Sequence, residues 1–401
     1  MNTARPLPVF FTYRKGHSKL ALSLFMLIAI CSSHIALAQI NSKEALGELL
    51  YFDPNLSLNR TQSCSSCHNP ATGFVDKRTH DTRHTHLEGM VSLGDDQQSF
   101  GDRSAPTSSY ANQIPIFHVN KKGKHVGGQF WDGRAATLAD QAKGPPLAGI
   151  EMGIPNKESM QARLLESEVY KQAFSSLFGK DILSKPGKLY DAMAESIAAF
   201  EKTDFFSPFD SKYDRYLRGE YELSKQEELG MTLFFSQQFT NCNQCHQLRS
   251  SPTAPDETFS NYEYHNIGIP TNLAVRKQNK LDEDYVDIGL LANAQVHDEK
   301  HKGKFKTPTL RNVAVTSPYM HNGVFKELRT VIDFYNKYNS KSAKRQINPE
   351  TGESWDKPEF HETISFEELQ SGPALDDKRI DALVAFLKLL TDKRYESLIT
   401  D

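Results

Sequence analysis

Two short motifs carry the most specific chemistry in this sequence. They are Cys64-Ser65-Ser66-Cys67-His68 and Cys242-Asn243-Gln244-Cys245-His246. At this spacing, two thiols can add across the two vinyl groups of one haem, and the adjacent His can supply an axial imidazole to the iron. The pattern therefore predicts two covalently bound haem c groups, with His68 and His246 as iron ligands.

Two other uses of cysteine pairs compete with haem attachment. A four-Cys zinc site would need both pairs to come together and would leave His68 and His246 unexplained. A thioredoxin-like redox pair requires a βαβ setting, and none surrounds either motif. Apart from Cys31 near the N-terminus, the two motifs use every cysteine of the chain. Haem attachment accounts for the cysteines and the histidines together.

A similar stretch of sequence precedes each motif. Leu46–Phe52 and Leu229–Phe235 both read L-G-x-x-L, followed by two residues of which the second is Phe. Each stretch predicts a helix with one apolar face, followed by a loop and the haem motif. Two unrelated amphipathic helices would be the alternative. The matching order favours a small helical haem fold that is used twice.

Helical periodicity extends beyond these stretches, whereas strand alternation is scarce. The further predicted helices are Met160–Leu177, Leu189–Glu201 and Arg379–Leu390. We expect an all-α fold of two cytochrome c-like haem domains with long loops, related by duplication. The predicted N-terminal domain covers residues 39–205 and the C-terminal domain residues 206–401.

Residues 1–38 have the features of a secretory signal peptide. Arg5, Arg14, Lys15 and Lys19 precede an apolar run at Leu20–Ile30, and Ala36-Leu37-Ala38 follows as a cleavage site. The run is short for a transmembrane helix. An uncleaved anchor and a lipoprotein at Cys31 are the alternatives, although Ile30 stands where a lipoprotein has a small residue. We expect cleavage near Ala38 and export to the periplasm.

Composition limits the remaining possibilities. The chain has 401 residues, of which 38% are hydrophobic and 24% charged, as in globular proteins. The net charge of −3 argues against a nucleic-acid partner, since such proteins usually carry a basic excess. No second apolar stretch is long enough to span a bilayer, so we expect no stable membrane insertion after signal cleavage.

The sequence resembles the bacterial di-haem cytochrome c peroxidases, in particular their MauG-like branch. The resemblance covers nearly the whole chain after the signal peptide and rests on linked motifs. These motifs are Ser92–Asp96, Asp102–Thr107, Gly127–Leu138, Gln141-Ala142, Pro145–Leu147, Glu151–Gly153, Thr307–Val313 and Ser317–Gly323.

The resemblance implies a role for each matching residue. Cys64, Cys67 and His68 would hold the haem that reacts with hydrogen peroxide, and Cys242, Cys245 and His246 would hold an electron-transfer haem. Four further positions match the family's catalytic machinery. They are Glu151 as the distal acid–base carboxylate, Gln141 and Pro145 as its pocket companions, and Trp131 as the indole between the haems. Apart from the resemblance, Glu151 could be a solvated surface acid and Trp131 a core residue.

The distal ligand of the second haem distinguishes the branches of this family. Tyr335 lies fourteen residues after His321, where ordinary members have Met and the MauG-like branch has Tyr. A phenolate favours ferric or higher oxidation states, whereas a thioether raises the potential. Tyr338 and Met320 are the alternative ligands. On the first haem we expect an open iron, although His80, His84 or His86 could close it.

The resemblance also implies a calcium ion and qualifies the choice of partner. Thr316 and Pro318 match the family's carbonyl ligands for calcium, but Ser104 replaces its usual Asn. The protein after which the branch is named carries a Trp two residues before the second haem's first Cys, where this chain has Thr240. The same partner, a methylamine dehydrogenase precursor, is therefore doubtful, and Phe239 is an alternative electron route.

Together these features predict a periplasmic di-haem peroxidase that reduces hydrogen peroxide. Its electron donor would be a small cytochrome, a cupredoxin or an oxidisable residue on a partner protein. Ordinary peroxide detoxification fed by a soluble cytochrome is the alternative enzyme. A non-catalytic di-haem electron carrier is the alternative from another class, and it would require a strong sixth ligand on the first haem.

Overall fold

The computed structural model describes residues 40–78, 87, 89–282 and 284–399. The predicted signal peptide and the candidate ligands His80, His84 and His86 lie outside these residues. Within them, no helix is both long enough and apolar enough to cross a membrane.

Helices dominate the described part of the chain. They are α1 (Lys43–Phe52), α2 (Cys64–Cys67), α3 (Leu138–Ala142), α4 (Lys157–Leu164), α5 (Glu168–Phe178), α6 (Pro186–Glu201), α7 (Lys212–Leu217), α8 (Lys225–Phe235), α9 (Leu273–Gln278), α10 (Leu328–Asn336), α11 (Phe366–Leu369) and α12 (Asp377–Leu389). Short 3₁₀ turns and loops connect them.

Two short antiparallel ladders accompany the helices in the described residues. Strand β1 (His118–Val119) pairs with β2 (His125–Val126), with His118 opposite Val126. Strand β3 (Tyr264–His265) pairs with β4 (Phe305–Lys306), with Tyr264 opposite Lys306. The fold is therefore helix-rich but not all-α as expected. In these two places, loop segments pair their backbone N–H and C=O groups in short strands.

Each half of the chain is organised around one close pair of helices. Helix α1 packs against α6, and α8 packs against α12. A Cβ atom on Gly47 would collide with the Ser196 carbonyl oxygen and lie 2.9 Å from the Phe200 Cβ. A Cβ atom on Gly230 would collide in the same way with Ala382 and lie 2.9 Å from the Phe386 Cβ. Glycine is required at both crossings because the backbones approach closely.

One predicted helix is wrong in its extent. The stretch Met160–Leu177 forms two helices, α4 and α5, rather than one. The chain leaves helical geometry at Ser167, whose hydroxyl caps α5 by accepting from the Tyr170 N–H. A Ser side chain competes for backbone donors in this way and favours a new helix start over continuation. The helices predicted at Leu189–Glu201 and Arg379–Leu390 agree with α6 and α12 to within a few residues.

Two hydrophobic cores follow the two helix pairs. The first core contains Tyr51, Phe174 and Phe200, and the second contains Phe234 and Phe386. The division between them lies near the proposed domain boundary at residue 205. However, Val315 and Tyr395 from the C-terminal half pack in the first core. The domain limits remain a prediction.

Candidate functional site

The first motif opens onto a cavity of about 380 Å³. Helix α2 carries both thiols, and helix α3 and the segments before α3 and α4 also line the cavity. The cavity brings together seven of the residues predicted for the first haem site. They are Cys64, Cys67, His68, Trp131, Gln141, Pro145 and Glu151.

Both motif histidines are held in the same way. His68 Nδ1 lies 3.4 Å from the Phe74 carbonyl oxygen, and His246 Nδ1 lies 2.9 Å from the Phe259 carbonyl oxygen. A carbonyl only accepts, so each Nδ1 carries the proton and leaves Nε2 as a lone-pair donor. Burial lowers the pKa of both rings, that of His246 to about 4. A neutral imidazole that donates through Nδ1 suits an iron ligand.

The four motif cysteines are free thiols in the structure. Burial raises the pKa of Cys64 and Cys245 to about 12 and that of Cys67 to about 11. In each half, the pair of thiols and the neighbouring imidazole line one cavity. This donor set fits a haem attached through two thioethers with an axial His.

A loop against the first cavity positions Glu151. The Asp95 N–H donates to the Glu151 carbonyl oxygen at 2.7 Å, and the Asp95 carboxylate accepts from the Thr61 hydroxyl at 2.6 Å and from the Asn59 N–H at 2.6 Å. Burial raises the pKa of Glu151, and the nearby Arg134 guanidinium opposes that rise. Among the described residues, no donor lies within hydrogen-bond distance of the Glu151 carboxylate. Its proton affinity is therefore set by burial and by one cation.

The second motif lines a smaller cavity of about 220 Å³. Tyr335 from α10 and Met320 both border it. Burial raises the pKa of Tyr335 well above its ordinary value. Tyr338, by contrast, donates its hydroxyl to the Ile267 carbonyl oxygen at 3.0 Å and does not border this cavity. This arrangement favours Tyr335 over Tyr338 as a ligand, while Met320 stays an alternative.

Trp131 borders both cavities. Its indole N–H donates to the Ser104 carbonyl oxygen at 2.8 Å, and its carbonyl oxygen accepts from the Lys306 N–H at 2.9 Å. The buried Lys306 ammonium donates to the carbonyl oxygens of Phe130 (2.9 Å) and Gly128. Burial lowers the pKa of this ammonium to about 7. Hydrogen bonds from Lys306 to the backbone around Trp131, and from the indole to Ser104, thus hold the indole between the two cavities.

A buried ionic network lies beside Trp131. The Arg103 guanidinium donates to the Asp132 carboxylate at 2.7 Å and to both oxygens of Asp287 at 2.7 Å. Although burial opposes ionisation, the Arg103 hydrogen bonds and charge lower the pKa of Asp287 to about 2. Arg103 borders the first cavity and Asp287 the second. The network therefore connects the walls of the two cavities.

The three residues predicted to bind calcium border a third cavity of about 140 Å³, which also includes Trp131. These residues are Ser104, Thr316 and Pro318. The described residues contain no cluster of three or more His, Cys, Asp or Glu side chains suited to a metal. The Lys77 ammonium donates to the Ser317 carbonyl oxygen and, at 3.1 Å, to its hydroxyl. Neutral oxygens suit calcium, but the Lys77 charge opposes a second cation there.

Comparison with known proteins agrees with this geometry. A family model described as "Di-haem cytochrome c peroxidase" matches residues 41–222. The methylamine utilization protein MauG of Paracoccus denitrificans is 51% identical over 361 residues, which cover 89% of this chain and 90% of that protein. The chain belongs to the di-haem cytochrome c peroxidase family, in its MauG-like branch. The family relationship expected from the motifs is confirmed.

Other peroxidases of the family are also similar. The cytochrome c551 peroxidase of Pseudomonas aeruginosa is 31% identical, over 72% of this chain and 69% of that protein. The structure of the di-haem peroxidase BthA from Burkholderia thailandensis matches with a TM-score of 0.78 and 30% identity, over 89% of this chain and 88% of that one. Membership in this peroxidase family makes the protein an oxidoreductase that acts on peroxide, and it implies two haem groups.

Sequence reasoning missed three ionisable residues around these peroxidase pockets. Arg103 lies within the motif Asp102–Thr107 and Lys306 directly precedes the motif Thr307–Val313, but neither was predicted to have a role. Glu201 ends α6 and is 4% exposed, and it also borders the first cavity. One signal was available for Glu201, because it follows directly on the apolar residues of a predicted helix.

The structure also buries Thr240, whose hydroxyl donates to the Leu233 carbonyl oxygen at 2.7 Å, whereas the neighbouring Phe239 is 46% exposed.

Proposed function

We propose that this protein is a periplasmic di-haem c-type peroxidase that reduces hydrogen peroxide, exported through a signal peptide cleaved near Ala38. Haem c would be bound through Cys64, Cys67 and His68 and through Cys242, Cys245 and His246. One observation carries the proposal: the first cavity joins a C-x-x-C-H motif to the partly buried carboxyl of Glu151. When bound, the haem supplies an iron that can bind peroxide and exchange electrons.

Glu151 is the proton-transfer group in this proposal. Its carboxylate accepts a proton from one peroxide oxygen and delivers it to the other, so that the leaving oxygen departs as water. Its raised pKa, caused by burial, strengthens it as a base and still allows it to return the proton. Gln141 and Pro145 border the same space and limit how peroxide and water can sit beside the carboxyl. A haem held by Cys64, Cys67 and His68 would keep one coordination position free for peroxide.

Tyr335 and Trp131 distribute the oxidising equivalents. Tyr335 would hold the iron of the second haem through its hydroxyl oxygen, which would lose its proton on binding. An anionic oxygen ligand favours oxidised iron. Trp131 borders both cavities, so its indole offers a path between them. A small cytochrome, a cupredoxin or an oxidisable residue on a partner protein then supplies the electrons. Thr240 is buried where a docking Trp would be needed, which argues against a methylamine dehydrogenase precursor; the exposed Phe239 offers another route.

A calcium ion is a further part of the proposal. The backbone carbonyls of Thr316 and Pro318 and the oxygens of Ser104 would bind it, with water completing the shell. The Lys77 ammonium, which donates to Ser317, would have to turn away or lose its proton when the ion binds. These residues border one cavity next to Trp131, so the ion would support the segment between the haem pockets.

Replacing the carboxyl tests the proton-transfer role. Glu151→Gln should retain both haems and slow the reaction with hydrogen peroxide by a factor on the order of 10²–10⁴ in stopped-flow measurements. Glu168→Gln is the matched control, because Glu168 is an exposed acid paired with Lys171 on α5. An unchanged peroxide rate in Glu151→Gln would remove Glu151 from the mechanism.

Spectroscopy of the purified all-ferric protein separates the proposal from its alternatives. A high-spin haem beside a low-spin one, with both changing after one equivalent of peroxide, supports the open first iron and the Tyr335 ligand. Two low-spin haems that react only after partial reduction would mean a closing ligand such as His84 and an ordinary cytochrome-fed peroxidase. No reaction even after reduction would mean an electron carrier.

A further inference from the structure

Glu201 is a buried carboxyl that the proposed mechanism does not use. It is the last residue of α6, is 4% exposed, and borders the first cavity beside Cys64. In the part of the chain that the structure describes, its Oε2 atom is fully buried without a hydrogen-bond partner. Burying a carboxyl without a partner is costly, and the cost is much greater for the ionised form. The group therefore stays protonated unless a positive charge develops nearby.

The second half of the chain shows what the helix scaffold alone requires at this position. Gly47 meets Ser196 and Phe200, and Gly230 meets Ala382 and Phe386, so the two long helices pack in the same register. In that register, Glu201 on α6 occupies the position equivalent to Leu387 on α12. Leu387 is 8% exposed and borders the second cavity. An isobutyl side chain therefore serves the packing in one half, and the carboxyl in the other is not a requirement of the fold.

Few titratable groups face Glu201. Tyr51 from α1 and Cys64 from α2 are those with which it interacts electrostatically among the described residues. The Tyr51 hydroxyl is already engaged, since it donates to the His68 carbonyl oxygen at 2.9 Å and lies 3.3 Å from the Ser108 hydroxyl. Cys64 would no longer titrate as a thioether. Burial raises the pKa of Glu201 to about 8, with no cation opposing it.

We propose that Glu201 is a redox-linked proton carrier of the first haem pocket. This inference rests on the proposed function, because it assumes haem at Cys64, Cys67 and His68. Glu201 releases its one proton to water when the pocket loses one electron to peroxide, and it takes a proton back when the donor returns that electron. The charge of the pocket thus stays constant while its oxidation state changes. Positive charge that would otherwise build up in a low-dielectric cavity is avoided.

The test is the pH dependence of the first haem's reduction potential, measured on the intact holoprotein without peroxide. One proton per electron lowers a one-electron potential by about 59 mV per pH unit. We expect a slope approaching this value near neutral and mildly alkaline pH in the wild type. Glu201→Gln should abolish most of the slope. Glu201→Leu introduces the residue found at the equivalent position, Leu387, and should also abolish most of the slope. It is a second test in case Glu201→Gln fails to fold.

Two controls locate the effect. Glu195→Gln removes an exposed acid on the same helix, where Glu195 pairs with Lys43, and should leave the slope unchanged. Glu151→Gln removes another carboxyl that borders the cavity and should also retain most of the slope. Redox-difference infrared spectra should show a protonated carboxyl band that is lost on oxidation in the wild type and absent from Glu201→Gln.

The inference is overturned if the wild type shows no slope, or if the slope and the carboxyl band persist in Glu201→Gln. Failure of the proposed function would look different. In that case Glu151→Gln would react with peroxide at the normal rate, while the potential of the first haem could still follow the protonation of Glu201.

Discussion

The two haem-motif pockets share a scaffold and differ in chemistry. In each, a glycine lets the helix preceding the motif lie directly on a longer helix, at Gly47 and Gly230. In each, the motif His is oriented by the carbonyl of a buried Phe with positive φ, 58° at Phe74 and 56° at Phe259. These shared features orient an imidazole at the edge of each cavity, but they do not set which other groups border it.

The differences lie at a few matched positions. Tyr51 and Glu201 border the first motif where Phe234 and Leu387 border the second. The larger first cavity also receives Glu151, whereas the second receives Tyr335. At these matched positions the first pocket therefore has two carboxyls, and the second has a phenol and an isobutyl group. A common scaffold thus places different ionisable groups beside the two motifs.

The largest expected effect comes from removing one attachment motif at a time. Cys64→Ser with Cys67→Ser should reduce the haem content from two to one and abolish the reaction with peroxide. Cys242→Ser with Cys245→Ser should also leave one haem, but peroxide should still bind in the first pocket. Pyridine haemochrome assays and intact mass measure the content. Equal loss of peroxide binding in both double variants would contradict the division of roles between the pockets.

A smaller effect should follow from changing the second pocket's phenol. Tyr335→Met should raise the potential of the second haem by on the order of 100 mV, because a neutral thioether stabilises oxidised iron less than a phenolate does. Spectroelectrochemistry measures the shift. Tyr338→Phe is the control, since the Tyr338 hydroxyl is bound to the Ile267 carbonyl. If the control shifts the potential and Tyr335→Met does not, the ligand assignment is wrong.

The smallest expected effects concern the scaffold itself. Gly47→Ala and Gly230→Ala should each destabilise the protein by about 1–3 kcal/mol, because the new methyl group would collide with a neighbouring backbone. Thermal or denaturant unfolding of the holoprotein measures both. In Gly187→Ala, a methyl group on α6 would meet no atom within 4 Å, so this variant should be neutral or slightly stabilising. A marked difference between the first two variants would show that the crossings are not equivalent.

Much of this protein could be predicted from the sequence, because the relevant physics is local. Each C-x-x-C-H motif spans only five residues, and α6 and α12 depend on apolar periodicity within one segment. The same local reasoning failed at Ser167, where a side-chain cap outweighed continued periodicity and split the predicted helix. The linked motifs then predicted the protein family, and the similarity to known peroxidases confirmed it.

The sequence by itself determined the two C-x-x-C-H motifs, the main helices and the peroxidase family. Only the tertiary structure revealed that Trp131 borders both cavities, that Tyr338 is engaged by a carbonyl while Tyr335 borders the second cavity, and that Glu201 and Lys306 are buried. The reason is physical. Burial and proton affinity depend on which distant segments pack around a side chain, and neighbours in the sequence do not specify that packing.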